Sequence, residues 1–249
     1  MKRWIGWLLA FLLAVLGSAA AWVFFAGGSG DPSTDLTTPP IADSTSTTES
    51  RDGESTPSVP GETTTTGLEG EGTVYVIDAT RTTATYEIDE ILNGRDNRVV
   101  GQTQQVAGQF VVDPSGAVRF SPILINARTF VTDSSNRDRL VRGPVILNSA
   151  EDEFEFITFE VVSLPGLQNE VEVGETVVLT AIGDLTIKGV TRRTTFDLSV
   201  TLVDEDTISG EAVAMVSRSD FGIGIPSVPS VAGVDDAVTI RLEFVAVAS

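Results

Sequence analysis

Hydrophobic and polar positions follow three regimes along this chain. Residues 4–26 are uncharged and overwhelmingly apolar, residues 27–70 hold almost no large apolar side chain, and from residue 71 onward apolar and polar positions alternate with period two. Period two sends successive side chains to opposite faces of an extended backbone, so the last regime predicts half-buried β-strands. Stretches rich in Val, Ile, Thr and Phe with that pattern occupy residues 73–77, 109–112, 117–120, 154–162, 177–182, 185–187, 194–202, 211–216 and 238–247. Residues that tolerate turn dihedrals lie between them: Asn93-Gly94, Asp113-Pro114-Ser115-Gly116, Pro165-Gly166, Gly183-Asp184 and Ser209-Gly210. Residues 133–140 break the alternation with clustered Asp, Ser, Asn and Arg, which predicts a short helix or loop. Eight or more strands at hairpin spacing, with no long helix among them, predict an all-β antiparallel barrel or sandwich.

The first two regimes place that domain. An apolar run of about 23 residues spans a hydrocarbon core of about 30 Å as a helix. Lys2 and Arg3 precede it and Asp31 and Asp35 follow, so residues 1–26 are expected to anchor the chain with its N-terminus cytoplasmic and the rest outside. The alternative is a signal peptide cleaved after Ala21, since Ala19-Ala20-Ala21 offers a small-residue site, and cleavage would release the protein. The apolar run continues through Trp22, Val23, Phe24 and Phe25, which favours the uncleaved anchor. Residues 27–70 are Thr, Ser, Pro, Gly and acidic residues; they cannot bury enough apolar surface to offset chain entropy and are expected to form a disordered linker. As a coil of about 44 residues it would span on the order of 35–40 Å. Its Thr/Ser/Pro bias resembles O-glycosylated stalks.

Composition narrows the function classes. The domain at 71–249, about 180 residues, is long enough to bury roughly 70% of its unfolded surface without staples. No cysteine and no histidine occur anywhere, which removes disulfides, thiol nucleophiles, the commonest general base and the commonest metal ligand. The formal charge of −19 comes with no basic patch, which excludes nucleic acid as a partner and disfavours docking of the folded domain on anionic lipid headgroups. The carboxylate groups Glu151-Asp152-Glu153, Asp204-Glu205-Asp206 and Asp235-Asp236 flank predicted turns and read as solvated surface rather than an acid/base pair or Ca²⁺ site. There is no P-loop, no G-x-S-x-G elbow and no dinucleotide fingerprint. The chain is expected to be non-enzymatic, with no catalytic residues, metal or cofactor.

Two motifs carry more than periodicity. From Gly183 to Val200 the pattern predicts a hairpin in which Leu185 and Ile187 face inward, Lys188-Gly189 starts the turn, and Phe196, Leu198 and Val200 return on the buried face. In Ser217-Arg218-Ser219-Asp220-Phe221-Gly222-Ile223, Arg218 and Asp220 bracket a serine and are expected to form an ion pair or turn cap. Gly183 to Phe196 resembles the G-x-L-T-[IL]-x-G-V-T-[RK] signature of the YceI-like family, and Arg218 to Ile223 its R-x-D-[FY]-G-[IM] signature. Tyr75-Val76-Ile77-Asp78 resembles the family's opening strand. Asn136-Arg137-Asp138 through Leu140, with residues 154–159 behind it, resembles the central R-D-x-x-L…[YF]-P-x-[IL]-x-F block.

This resemblance covers essentially all of residues 71–249. It implies a lipocalin-like, extended antiparallel barrel of eight strands whose interior holds a long isoprenoid chain, a quinone or a polyprenyl lipid. Such a barrel is just wide enough for one slender ligand, and each buried methylene contributes about 0.8 kcal/mol. Inward candidates for ligand contact are Tyr86, Phe110, Val112, Ile157, Phe159, Phe196, Leu198, Val216 and Phe221, with ordinary core packing as the competing reading of each. Tyr86 and Lys188 stand in regions where the family often carries histidine, and Glu155 replaces the proline of the central block. The expected function is non-catalytic binding of an isoprenoid lipid at the outer face of the cytoplasmic membrane, reached through residues 4–26. The alternative is a stress-protective or interaction module whose barrel is filled with side chains.

Overall fold

The computed structural model describes residues 30–33, 36–41, 72–167 and 171–249, so the apolar run at 4–26 and most of the linker lie outside the described residues. Twelve strands form one antiparallel sheet: β1 Thr73–Ile77, β2 Thr83–Leu92, β3 Arg95–Thr103, β4 Val106–Ala107, β5 Gln109–Val112, β6 Val118–Phe120, β7 Ile123–Asn126, β8 Phe156–Ser163, β9 Thr176–Ile187, β10 Val190–Asp204, β11 Thr207–Ser217 and β12 Val231–Ala248. From β7 to β12 each strand pairs with the next, and β12 then pairs with both β2 and β1. The chain between residues 95 and 112 closes the sheet: β3 lies on β2, β5 on β1, and β4 on β7. The result is a barrel.

The expected count of eight strands is corrected to twelve, for local reasons. A 3-10 turn over Ala79–Arg81, capped by the Asp78 side chain, separates β1 from β2 although both lie along β12. Ser121-Pro122 separates β6 from β7, because proline has no N–H to give a ladder. Four predicted turns prove true: Asp113-Pro114-Ser115-Gly116 and Pro165-Gly166 turn as expected, and Asn93-Gly94 (φ 52° and 75°) and Lys188-Gly189 (φ 51° and 72°) take the left-handed dihedrals of a two-residue hairpin. Two others are corrected. Gly183-Asp184 lies inside β9 and Ser209-Gly210 inside β11. Glycine stands there for space: a Cβ on Gly183 would meet the Glu160 carbonyl oxygen at 2.3 Å and the Phe159 ring at 2.6 Å, and one on Gly210 the Phe244 ring at 2.6 Å.

The irregular stretch near 133–140 contains a helix, α1, over Ser135–Arg142. It sits at the barrel end that also carries the β2–β3 and β9–β10 turns, here called the helix end, where Lys188 Nζ donates to the carbonyls of Pro144 and Val145 at 3.0 Å each. The opposite, far end carries the β5–β6 and β10–β11 turns and the β8–β9 connection.

Residues 30–33 and 36–41, within the stretch expected to be a disordered linker, contact the barrel. Residues 30–33 lie on a buried ion pair formed by Arg128 and Glu155, both about 4% exposed, at 2.9 Å. The Ser33 N–H and Oγ donate to the two Glu155 carboxylate oxygens at 2.7 and 2.9 Å, and Arg128 Nη1 donates to the Asp31 carbonyl at 3.0 Å. Further along, Gln109 Nε2 donates to the Pro39 carbonyl at 3.0 Å. Composition alone misses this because the contact satisfies a buried charge instead of burying apolar area. Burial pushes the Glu155 carboxyl up, but the Ser33 donors, Asn126 and Arg128 together outweigh it and hold it below the ordinary range.

Two outcomes are expected. Gly183→Ala lowers the urea midpoint by an amount equivalent to about 1–3 kcal/mol, as overpacking does; a purely permissive glycine would give a small gain instead. Ser33→Ala destabilises by about 1.5 kcal/mol at pH 7, the low end for a bond to a charged group because Ser33 is half-exposed. Since the folded carboxyl titrates lower than the unfolded one, this contribution is complete above the ordinary carboxylate range and disappears as pH falls through the lowered value. Urea unfolding of both proteins at pH 7 and in acid therefore shows the difference shrinking in acid.

Candidate ligand-binding site

Alternation sends one face of every strand inward, and those faces do not meet. They enclose a cavity of about 970 Å³ that runs from Leu92 and Ile225 at the helix end to Leu202 and Ile208 at the far end. Along β12 the wall extends from Val231 to Phe244, on the order of 40 Å of strand. With a barrel tilt of about 35–45° this is roughly 30 Å along the axis. The mean bore is then on the order of 30 Å², enough for one slender chain. The lumen stays open because Ala84, Ala181 and Ala212 face inward where larger side chains would fill it. The barrel is therefore not filled, contrary to the alternative expectation.

The wall is aromatic and aliphatic. Phe159 and Phe196 meet edge-on with centroids 4.7 Å apart, and Phe110 lies between Tyr75 and Phe120 at 5.4 Å from each. All nine side chains named from the sequence, Tyr86, Phe110, Val112, Ile157, Phe159, Phe196, Leu198, Val216 and Phe221, line this one cavity. Sequence reasoning missed Tyr75, Ile88, Glu90, Val99 and Phe130, and the segment at 223–231 that brings Ile225 and Val228 over the helix end. The alternating Ala84, Tyr86, Ile88 and Leu92 were the available signal for β2.

Charged lining is confined to the helix end. Glu90, buried, accepts from Arg137 Nη2 at 3.1 Å and Asn97 Nδ2 at 2.9 Å, and Arg137 also pairs with Asp133. Arg218 donates to the carbonyls of Asp235 and Ile223 at 3.0 and 2.9 Å. Its acid is Asp236 at 3.9 Å, which corrects the expected Arg218–Asp220 pair; Ser219 caps the same Asp236 with its N–H and Oγ at 3.1 and 2.8 Å. These arginines hold the mouth's loops and ion pairs in place. Among the described residues, no group of three or more His, Cys, Asp or Glu is placed to hold a metal ion.

Tyr86 is the one buried hydroxyl in the wall without a hydrogen-bond partner. Its ring meets Phe130 edge-on at 5.3 Å and lies over Gly101, where a Cβ would approach to 2.2 Å. Burial pushes its phenol up strongly, and the nearby Asp138 adds to that. Tyr75 donates to the Glu205 carbonyl at 3.2 Å, and its phenol is raised first by burial, then by Asp206 and Asp204.

Fold and cavity together define a class, an antiparallel β-barrel closed around a long apolar lumen. The chain belongs to the YceI-like family, whose domain model matches residues 75–246. By structure it is similar to a polyisoprenoid binding domain from Saccharophagus degradans implicated in plant cell wall breakdown, with a TM-score of 0.57 and 14% identity over 70% of this chain and 98% of that one. It is also similar to BcnA of Burkholderia cenocepacia, with a TM-score of 0.53 and 20% identity over 68% and 98% of the two chains. No curated protein matches it by sequence.

Tyr75 and Tyr86 are the chain's only tyrosines, so alkaline titration reads this wall directly. Both folded phenols titrate above the unfolded value, so their contribution to stability is complete below about pH 10 and is lost as pH rises through the folded values. Absorbance near 295 nm should show both phenols ionising above the ordinary tyrosine pKa, with Tyr86 ionising together with loss of near-UV circular dichroism. Early, independent titration of both tyrosines would contradict this geometry.

Proposed function

We propose that this domain binds an isoprenoid-type lipid, a quinone or a polyprenyl chain, without turning it over, and serves as a carrier, buffer or sink at the outer face of the cytoplasmic membrane. The observation that carries the reading is the unfilled apolar lumen, whose bore suits one chain and whose volume lies at the upper end for small-molecule sites. The polyisoprenoid binding described for the similar Saccharophagus degradans domain supports the ligand class. With the polar groups gathered at the helix end, an amphipathic lipid would lie with its head beside Glu90, Arg137 and Arg218 and its tail toward Tyr75 and Leu202. The apolar run at 4–26 supports the membrane location.

Native mass spectrometry of protein extracted mildly from its own membranes, with organic extraction of the bound species, tests this. An isoprenoid is expected to co-purify. At a free ligand concentration of 100 times Kd, binding adds about 2.7 kcal/mol, which raises Tm by about 5–10 °C for a domain of this size. Ala181→Trp, which fills the lumen from β9, should fold and lose that shift. Absence of any co-purifying isoprenoid together with no shift from added quinone or polyprenol would remove the proposal.

A further inference from the structure

We infer that residues 30–33 clamp the barrel to its anchor with the helix end facing the bilayer, so that the lumen's polar mouth lies at the lipid surface. This rests on the reading of residues 4–26 as a membrane anchor. Only Gly27, Gly28 and Ser29 separate Ala26 from Gly30. Fully extended, that stretch reaches about 14 Å, far short of the coil expected for the whole linker. Gly30 itself sits on the Arg128 guanidinium: a Cβ there would come within 2.8 Å of Arg128 Cζ and 2.9 Å of the Ala150 carbonyl oxygen. The clamp site follows β7 and precedes β8, at the end of the barrel where α1 and the β9–β10 turn lie. A short spacer ending there turns that end toward the membrane.

The clamp is built from groups that need it. Arg128 uses all five of its N–H donors, to Ser149, Ala150, Asp152, Glu155 and, in the linker, Asp31. Glu155 accepts four hydrogen bonds, two of them from Ser33. Lifting residues 31–33 away would leave a nearly buried ion pair with three fewer hydrogen bonds, which opposes release.

Charge placement favours the same orientation. Among the described residues, the far-end turns and the β8–β9 connection carry Asp113, Glu172, Glu175, Asp204, Glu205 and Asp206 and no Lys or Arg. The helix end mixes its acids with exposed Arg95, Arg139 and Arg192. An anionic bilayer therefore repels the far end more strongly. The overall charge of −19 disfavours membrane contact on average, yet it does so least at the face the clamp presents.

The chain has no cysteine, so single labels report orientation in the full-length protein. A fluorophore on Ser135→Cys in α1 or on Glu205→Cys in the far-end turn is reconstituted in vesicles of phosphatidylcholine and phosphatidylglycerol containing brominated lipid. The α1 label should be quenched several-fold more than the far-end label. Inserting twenty Gly/Ser residues between Ala26 and Gly27 leaves every clamp contact in place and should bring the two labels toward equal quenching with Tm unchanged. Ser33→Pro, which removes both donors to Glu155, should do the same with a lower Tm. Equal quenching of the two labels in the unmodified chain, or a difference that survives the insertion, overturns the inference. A chain that does not sediment with vesicles at all overturns the anchor reading and this inference with it, while lipid co-purification continues to report on the lumen alone.

Discussion

The fold depends on one short closure. β4 joins β7 through two residue pairs only, Val106 with Ile125 and Ala107 with Leu124. Without them the curled sheet would have two free edges and would open its apolar lining to water. The ladder is short because the course from residue 95 to 112 must pair with β2, then β7, then β1, and it bends to do so. Polar groups extend the seam where the ladder stops. Gln102 and Val131 exchange backbone hydrogen bonds at 3.0 Å, Thr103 Oγ1 meets Thr129 Oγ1 at 2.6 Å, and the Asn126 N–H donates to the Gln105 carbonyl at 2.9 Å.

That seam leads directly to the buried ion pair. Asn126 ends β7 and gives its side-chain amide to Glu155, while the Ala127 N–H donates to the Glu155 carbonyl. Removing two charges from water is expensive, and their attraction offsets it only when every remaining hydrogen-bonding site is filled. Here the linker fills several. Glu155 stands where the family pattern resembled by residues 154–159 has proline, and its N–H donates to the Asp152 carbonyl at 3.3 Å, a bond proline could not make. One substitution thus supplies both a buried acceptor for Ser33 and a donor to the turn before β8, coupling the linker to the strands beside the closure.

Much of this was legible in the sequence, and the failures share a cause. Period-two runs located β1, β5, β6, β8, β10, β11 and β12, and inward positions on them line the lumen as a set, because alternation assigns faces without knowledge of partners. β2 and β3 escaped because their outward positions carry charge: Arg98 pairs with Asp89 at 2.8 Å across the two strands, so the polar residues read as loop when taken without their partner. Gly183 and Gly210 read as turns because glycine's two uses, left-handed dihedrals and room for a neighbouring ring, look alike in one dimension. The clamp and the Arg218–Asp236 contact were illegible for the same reason. Each joins groups far apart in the chain, and no local pattern marks them.

An open lumen also constrains energetics. Cavities left in filled cores cost about 24 cal/mol per Å³, and at about 970 Å³ that coefficient gives about 23 kcal/mol, more than the whole stability of an ordinary domain. The barrel cannot be a filled core with its contents removed. Its stability has to reside in the wall, in continuous ladders such as the twelve-residue β9 against the fifteen-residue β10, and in side chains that pack along the wall, such as Phe159 on Phe196. A wall that stands without its contents can take up a flexible chain and release it without unfolding. On the proposed function, apolar occupancy would stabilise the barrel by mass action alone, and the size of that gain would follow the lipid available at the mouth, which would make the inferred orientation of the helix end a thermodynamic matter as well as a geometric one.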